Sequence, residues 1–573
     1  MSANAKDDLG SPAIEKRVNE LLVQMTLDEK IGQMVQVDSD ALTNNMSDIQ
    51  TYFLGSVLSG GDSDPMGHDN TPQSWLKFAT NFEAYAFQTR LKIPLIYGID
   101  AVHGHNNIDG AVVFPHNIGM GATHDPDIVE QEGRVTAEEI AGTGIRWAFA
   151  PCLAVAQDER WGRTYESYGE DPKLVSEMGA AAIRGIQGEE LSGDATSVLA
   201  SAKHFAGDGG TTNGTDQGNT ICNEKTFRKL YLYPYRAAIK AGVGSIMVSY
   251  SSWNGKKMSE NKYLLTDVLK DEYGFKGFLV SDWAAIDQIS PDYKYDIQQS
   301  VNAGMDMFMI PYGNGKPNNY IRFISDMKEL LAEGNVSQSR IDDAVRRILR
   351  VKFQMGLFDS NAPVNPALTA AIGSPGHRDV AQRAVRESLV LLKNENHALP
   401  LSKNIGRLAV VGAGADDIGM QCGGWTVTWQ GSRGMATHGG TTILSAIRKS
   451  VSPATVVTYS PDGSNLGKPD AVIVVVGESP YAEMKGDRTN LDLSADDAAL
   501  IAQAKAIGAP VVTLLLSGRP LILNSALDDS SAFVAAWLPG TEGQGVADVL
   551  FGDYLFSGKL SRTWPGSNDH LRS

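Results

Sequence analysis

The chain alternates between short apolar runs and longer stretches whose apolar positions recur at helical spacing. Eight such runs occupy Ile31–Asp38, Gly55–Gly61, Pro94–Asp100, Trp147–Leu153, Val198–Phe205, Ser245–Tyr250, Gly277–Asp282 and Met305–Pro311. Runs this short and this apolar predict buried strands. The segments Ser74–Arg90, Pro126–Gly142, Asp171–Ile186 and Glu224–Ala241 between them predict helices. Ahead of the first run the first 14 residues are polar and predicted to be loose, and Glu15–Met25 has helical spacing. Thr26-Leu-Asp-Glu29 is a capping box that opens another helix. Strands alternating with helices imply parallel pairing. Eight units over about 350 residues predict a (β/α)8 barrel. Ser337–Met355 predicts a closing helix with Ser337 as its N-cap and Arg340, Arg346, Arg347 and Arg350 on its polar side.

The pattern then changes. Phe358–Pro375 is rich in Asn, Pro, Ala and Gly and reads as a linker. This assigns residues 1–357 to the barrel, 358–376 to the linker and 377–573 to a second domain. In the latter, Val380–Leu392 predicts a helix, and Leu408–Val411 a strand that runs into a Gly-rich turn. Further strands are predicted at Thr455–Tyr459, Ala471–Gly477, Pro510–Ser517 and Ala532–Trp537, with helices at Thr442–Ser450, Ala495–Gly508 and Gly543–Phe551. The fold class is α/β: a TIM-like barrel followed by a smaller α/β sandwich.

Polar groups gather where the barrel runs stop. Asp100 precedes Ala-Val-His103-Gly-His105, Lys203 and His204 close the fifth run, Tyr250 the sixth, and Asp282-Trp283 the seventh. Arg163 follows the fourth in Arg160-Trp-Gly-Arg163. In a barrel every C-terminal strand end opens at one mouth, so residues this far apart in sequence converge. Each alone has a plainer account. A single Asp282 also suits an N-cap or a loop. His103 and His105 have no third ligand nearby, so scaffold hydrogen bonding suits them better than a metal. In the second domain, Trp425 and Trp429 sit in a Gly-flanked loop, as sugar-stacking indoles or as packing. Glu483 sits in the charged loop after Ala471–Val476, where an open sheet keeps ligand-facing groups, or in a solvated turn. Gly412-Ala-Gly414-Ala-Asp-Asp lacks the third glycine of a dinucleotide turn, and a tight strand-to-helix turn accounts for it better.

Composition narrows the partners. The 573 residues are 42% hydrophobic and 20% charged, enough for large cores. A net charge of −17 argues against nucleic acid or an anionic membrane as the main partner and leaves a neutral or cationic ligand. Cys152, Cys222 and Cys422 lie too far apart for a CxxC pair or a disulfide framework. No apolar stretch approaches 20 residues, so no transmembrane helix is expected. The start, MSANAKDDLGSPAIEK, lacks the apolar core of a signal peptide, which places the chain as written in the cytoplasm, or in the periplasm or outside the cell if a signal was removed.

Taken together, Tyr97-Gly-Ile-Asp100-Ala-Val-His-Gly, Arg160-Trp-Gly-Arg163, Lys203-His204-Phe, Met247-Val-Ser-Tyr250, Gly277-Phe-Leu-Val-Ser-Asp282-Trp, Gly424-Trp-Thr-Val-Thr-Trp429-Gln-Gly and Tyr481-Ala-Glu483-Met-Lys-Gly-Asp resemble glycoside hydrolase family 3, in particular its two-domain β-glucosidases and exo-β-glucanases. The resemblance runs from about Leu21 to Trp564. It implies an active site between the two domains that releases β-glucose from the non-reducing end of β-glucosides and β-glucans. Asp282 would be the nucleophile and Glu483 the general acid/base. Asp100, Arg163, Lys203, His204 and Tyr250 would hold the terminal glucose, and Trp283 and Trp429 would clamp the next sugar. No metal or organic cofactor is implied. Another β-glycoside such as a xyloside, or sugar binding without cleavage, are the alternatives. Three departures stand out. Phe205-Ala-Gly-Asp208 follows Lys203-His204, where the N-acetylglucosaminidase branch has Pro-Gly-His-Gly. Gln217 stands where the plant enzymes are expected to have Glu. The chain as written stops at Ser573, before the Gly-Tyr-Gly-Leu-like ending the resemblance leads one to expect, and no fibronectin-like third domain is expected within it.

Overall fold

The computed structural model describes residues 9–359 and 364–571. Eight short parallel strands form one sheet: β1 (Val35–Asp38), β2 (Ser56–Ser59), β3 (Ile96–Ile99), β4 (Trp147–Ala148), β5 (Leu199–Phe205), β6 (Ser245–Val248), β7 (Phe278–Ser281) and β8 (Phe308–Ile310). Neighbours in the sheet follow the order β7-β6-β5-β4-β3-β2-β1-β8. The ring closes at β7 and β8, where Val280 bridges Met307 and the Met309 N–H donates to Ser281 Oγ at 2.8 Å. The expected runs thus become eight barrel strands, though several are shorter than their apolar stretch. The first run is helical as far as Gln33, because the capping box at Thr26 forms as its sequence predicts and the turn it starts persists to that point. In Trp147–Leu153 only Trp147 and Ala148 form a regular strand, and the buried remainder stays beside β5, where Cys152 bridges Lys203 and the Ser201 and Lys203 N–H groups donate to the carbonyls of Ala150 and Pro151.

Helix starts repeat one device, a small polar N-cap followed by proline at the first helical position. It occurs at Ser11-Pro12, Thr71-Pro72, Asp125-Pro126 and Asp171-Pro172, and each cap side chain accepts a backbone N–H. The stretch Glu224–Ala241 divides into Glu224–Leu230 and Tyr233–Lys240, since Pro234 suits a first turn and not a helix interior. The closing helix spans Gln338–Gln354, and the Ser337 side chain accepts from the Arg340 N–H. The sequence places its arginines on a solvated face, yet Arg340, Arg347 and Arg350 turn inward. They donate to the carbonyls of Val301, Met305, Phe275, Gly277 and Lys276 at the base of the barrel.

The second sheet has the order β9-β14-β13-β12-β10-β11, with β9 (Val390–Asn394), β10 (Arg407–Val411), β11 (Val456–Ser460), β12 (Ala471–Gly477), β13 (Val511–Leu516) and β14 (Ala532–Trp537). All pairs are parallel except β9 with β14. Fully buried β-branched runs such as Ala471-Val-Ile-Val-Val-Val make its centre. One expectation fails here. The helix predicted over Val380–Leu392 is Pro375–Ser388, and Val390-Leu-Leu is an edge strand. An apolar run that short fits either period, and pairing with β14 decides it. At Gly412 the backbone has φ +97°, and a Cβ there would lie 2.1 Å from the Val475 carbonyl oxygen, so the glycine serves a tight turn against the neighbouring strand.

The stretch between the sheets is not bare coil. Residues 360–363 lie outside the described residues, as do residues 1–8 of the polar start. A helix spans Pro366–Ala371, capped by Asn365. The next helix is clasped to the barrel through His377, which faces Glu139 at 2.9 Å and Glu138 at 3.1 Å. Hydrogen bonds to Glu138 and Glu139 raise the imidazole from 6.5 to about 9. A pKa higher in the folded chain stabilises the fold fully below about 6.5, and that contribution is lost as pH rises through about 9. His377→Gln is therefore expected to lower the melting temperature at pH 6 by about 1–3 °C, with the difference gone at pH 10; scans at the two pH values check it. A shared apolar cluster joins the domains further, with Ile118, Ala122 and Tyr165 from the barrel against Trp425, Ala482 and Trp537.

Candidate active site

A cavity of about 670 Å³ opens at the C-terminal mouth of the barrel, under the loops of the second domain. Asp100, Arg163, Lys203, His204, Tyr250, Asp282, Trp283, Trp429 and Glu483 all line it. The sequence placed Asp100, Lys203, His204, Tyr250 and Asp282 at barrel strand ends, Trp283 beside Asp282, Arg163 in a barrel loop, and Trp429 and Glu483 in loops of the second domain, and the fold brings all of them to one cavity. Asp100 follows β3 and Asp282 follows β7, Lys203 and His204 close β5, and Tyr250 lies just past β6.

Asp282 is buried. Its Oδ1 accepts the Trp283 N–H at 2.7 Å, while its Oδ2 has no hydrogen-bond partner among the described residues. Burial raises its carboxyl to about 6, and Arg163, the Trp283 N–H and Lys203 oppose the rise. His204 Nε2 lies 3.6 Å from Oδ2, but burial together with Arg163 and Lys203 pushes the imidazole well below its usual value. The ring is therefore neutral, and this contact is not an ion pair. Its Nδ1–H faces Asp208 at 2.9 Å, which leaves Nε2 to accept from Arg163 at 3.2 Å.

Arg163 links the two halves of the site. It binds Glu166 through two bonds of 2.9 Å and approaches Glu483 Oε1 at 3.2 Å. Burial nevertheless raises the Glu483 carboxyl to about 8; Arg163 pulls it down, and Asp216 and Asp282 add to the rise. Glu483 also has φ +53°, in the left-handed region, a strain of roughly 1–3 kcal/mol that persists only where surroundings hold it. Those surroundings are the barrel loops. Asp487 accepts the N–H groups of Gly162 and Asp216, both at 2.8 Å. A Cβ at Gly162 would stand 2.0 Å from the Glu483 carbonyl oxygen, so only glycine lets the Arg163 loop approach. Arg519, fully buried, donates to the carbonyls of Glu159 and Gly486 and to the Tyr481 hydroxyl.

At the floor, Lys203 donates to Asp100 at 3.2 Å, although burial outweighs the ammonium and still raises the Asp100 carboxyl. The Tyr250 hydroxyl donates to the Trp283 carbonyl at 2.5 Å. Trp283 and Trp429 are half-buried at the rim. Trp425 is not the exposed indole its glycine-rich loop suggests. It is buried, donates to Glu166 at 3.2 Å and lies 5.8 Å beneath Lys203. His103 and His105 are also buried, facing the carbonyls of Phe114 and Trp425 and the Thr143 hydroxyl, as a scaffold reading expects. Gln217 lines the cavity and accepts from Gln288 at 2.7 Å.

Sequence reasoning missed Glu166, Asp208, Asp487 and Arg519. None ends an apolar run. Only the Arg-x-x-Glu spacing of Arg163 and Glu166 offered a signal.

A pocket at a barrel mouth, lined by carboxyl groups from both domains and with indoles at the rim, suits a carbohydrate-cleaving enzyme. Comparison with known proteins narrows this class to one family. Residues 26–351 match the glycosyl hydrolase family 3 N-terminal domain and residues 389–573 its C-terminal domain. The chain belongs to glycosyl hydrolase family 3. It is 35% identical to the lysosomal beta glucosidase of Dictyostelium discoideum, over 97% of this chain and 72% of that protein. It is similar to the crystal structure of an exo-1,3/1,4-beta-glucanase from a Pseudoalteromonas species, with 42% identity, a TM-score of 0.91, and coverage of 97% of this chain and 71% of that one. It is also similar to a mutant beta-glucosidase from Listeria innocua in complex with laminaribiose, with 30% identity, a TM-score of 0.85, and coverage of 97% and 77%.

Proposed function

We propose that the protein is a retaining, exo-acting β-glucosidase or β-glucanase that removes glucose from the non-reducing end of β-glucosides and β-glucans. The observation that carries this reading is the pairing of two unlike carboxyl groups on one cavity. Asp282 presents an Oδ2 with no hydrogen-bond partner among the described residues and is raised by burial to about 6, while Glu483, from the other domain, is raised to about 8. At neutral pH the first is ionised and the second protonated, as a nucleophile and a general acid must be.

In the first step Asp282 Oδ2 attacks the anomeric carbon, and Glu483 gives its proton to the departing glycosidic oxygen. A glucosyl ester of Asp282 remains. In the second step Glu483, now a carboxylate, takes a proton from water. That oxygen attacks the same carbon, releases Asp282, and leaves β-glucose with its configuration retained. Asp100, Lys203, His204, Arg163 and Tyr250 bind the hydroxyls of the terminal sugar, and Trp283 and Trp429 stack on the next. The chemistry of these groups requires no metal. Support for glucose as the sugar comes from the beta-glucosidase and exo-beta-glucanase relatives and from the laminaribiose complex of one of them.

The testing experiment compares kcat/KM on aryl β-glucoside and aryl β-xyloside, and follows product size on laminari-oligosaccharides. Glucose as the sole early product, with the glucoside preferred, supports the reading. Preference for the xyloside replaces the sugar but not the mechanism, and binding without turnover removes the enzyme reading.

The docking of the Glu483 loop yields a separate prediction. Arg519→Met deletes the donors that tie Gly486 and Tyr481 to the barrel loop at Glu159. The general acid is then less well placed, and kcat is expected to fall about 10²-fold while glucose inhibition changes little. Steady-state kinetics with a product-inhibition series checks it.

A further inference from the structure

The two rim indoles come from different domains, and one barrel loop touches both. It is Gly60-Gly61-Asp62-Ser63, which follows β2 and lines the cavity. A Cβ at Gly60 would stand 2.7 Å from Cζ3 of Trp283. A Cβ at Gly61 would stand 2.7 Å from Trp429 Cβ and 2.8 Å from its Cα. Neither glycine has a positive φ, so the backbone does not require glycine there; the two aromatic neighbours do. Asp62 completes the contact by accepting the Trp429 N–H at 2.8 Å. The loop is fixed from below by Asp38 at the end of β1, which accepts from the Gly60 N–H at 3.1 Å and the Ser63 hydroxyl at 2.8 Å.

We infer that this loop is the spacer that sets the aperture between Trp283 and Trp429, and so determines which sugar–sugar linkages the leaving-group side of the site accepts. The inference rests on the glycosidase reading above. Gly60 and Gly61 are positioning residues, acting through the indoles and not on the reacting atoms. At Gly61 the clash is with the backbone and Cβ of Trp429, which cannot swing aside as a side-chain tip can. A methyl group there displaces the whole indole. At Gly60 the clash is with the ring edge of Trp283, which tilts. The two substitutions move opposite jaws and therefore change linkage preference differently.

The test uses the full chain and two kinds of substrate. Laminaribiose and cellobiose place a sugar between the indoles, whereas β-glucosyl fluoride has a leaving group too small to reach them. Gly61→Ala is expected to lower kcat/KM on the disaccharides by about tenfold or more, the loss of one good aromatic contact, with β-glucosyl fluoride kept within about twofold. Gly60→Ala is expected to change the laminaribiose-to-cellobiose ratio in a different direction or degree. Asp62→Ala adds no atoms, so it tests the same spacer if a glycine variant fails to fold, and the same split between disaccharide and fluoride is expected. Disaccharide and fluoride rates that fall together would overturn the inference, as would disaccharide rates that do not change. A wild-type chain inactive on β-glucosyl fluoride would instead sink the glycosidase reading, and the spacer with it.

Discussion

Asp282→Ala is expected to lower kcat on an aryl β-glucoside by about 10⁴-fold or more while the terminal sugar still binds. The reason is that no neighbouring carboxyl group can take over. Asp100 is engaged by Lys203, Asp208 by His204 and Glu483 by Arg163. Asp282 Oδ2 combines burial, a place on the cavity wall and no hydrogen-bond partner among the described residues. The mutation shortens a side chain that holds up little else, since among the described residues its one hydrogen bond is from the adjacent Trp283 N–H. A melting curve close to wild type would therefore separate a chemical loss from a folding loss. Added azide should enter the space left by the carboxylate and attack from the face the nucleophile used. The product would then be α-glucosyl azide, and its detection by NMR would place Asp282 on that face. Wild-type turnover in the variant would remove Asp282 from the mechanism.

The second large effect is expected at Glu483, and it depends on pH and leaving group. In the wild type, kcat/KM should fall below about pH 6 as Asp282 takes up a proton, and above about pH 8 as Glu483 loses one. Both carboxyl groups are raised by burial, but the fall on each side has the opposite sign because one must be charged and the other neutral. Glu483→Gln should abolish the alkaline limb and leave the acid one. On laminaribiose, whose departing alcohol needs a proton, the loss is expected at about 10²–10⁴-fold. On dinitrophenyl β-glucoside, whose leaving group departs without protonation, the first step should persist and the glucosyl-enzyme should accumulate. A pH profile for both substrates checks this, with mass spectrometry of the intact protein for the ester. An alkaline limb that survives in Glu483→Gln would assign it to another group.

Much of this is legible in the sequence because the barrel converts sequence position into spatial position. A polar residue that ends an apolar strand run must face the mouth, so Asp100, Lys203, His204 and Asp282 can be named without coordinates. Glu483 follows from the same rule applied to β12. What the sequence does not reveal is what holds these groups in place. Arg519 and Asp487 act across the domain boundary on backbone atoms, and no periodicity in one domain reports on a carbonyl in the other. Gly60 and Gly61 look like the end of a strand run, and only the position of two distant indoles explains them. Trp425 reads as exposed because glycine-rich loops usually are, whereas this one is covered by His103, His116 and Asn106 of the barrel. The strand Val390–Asn394 reads as helix because three apolar residues carry no period of their own.

The central claim is that Asp282 and Glu483 work as nucleophile and acid/base in a double displacement. The measurement that tests it most directly is proton NMR of laminaribiose hydrolysis from the first seconds, before the sugar mutarotates. β-Glucose as the first product from the non-reducing end is the predicted result. α-Glucose as the first product would mean a single displacement by water, and would contradict the role given to Asp282.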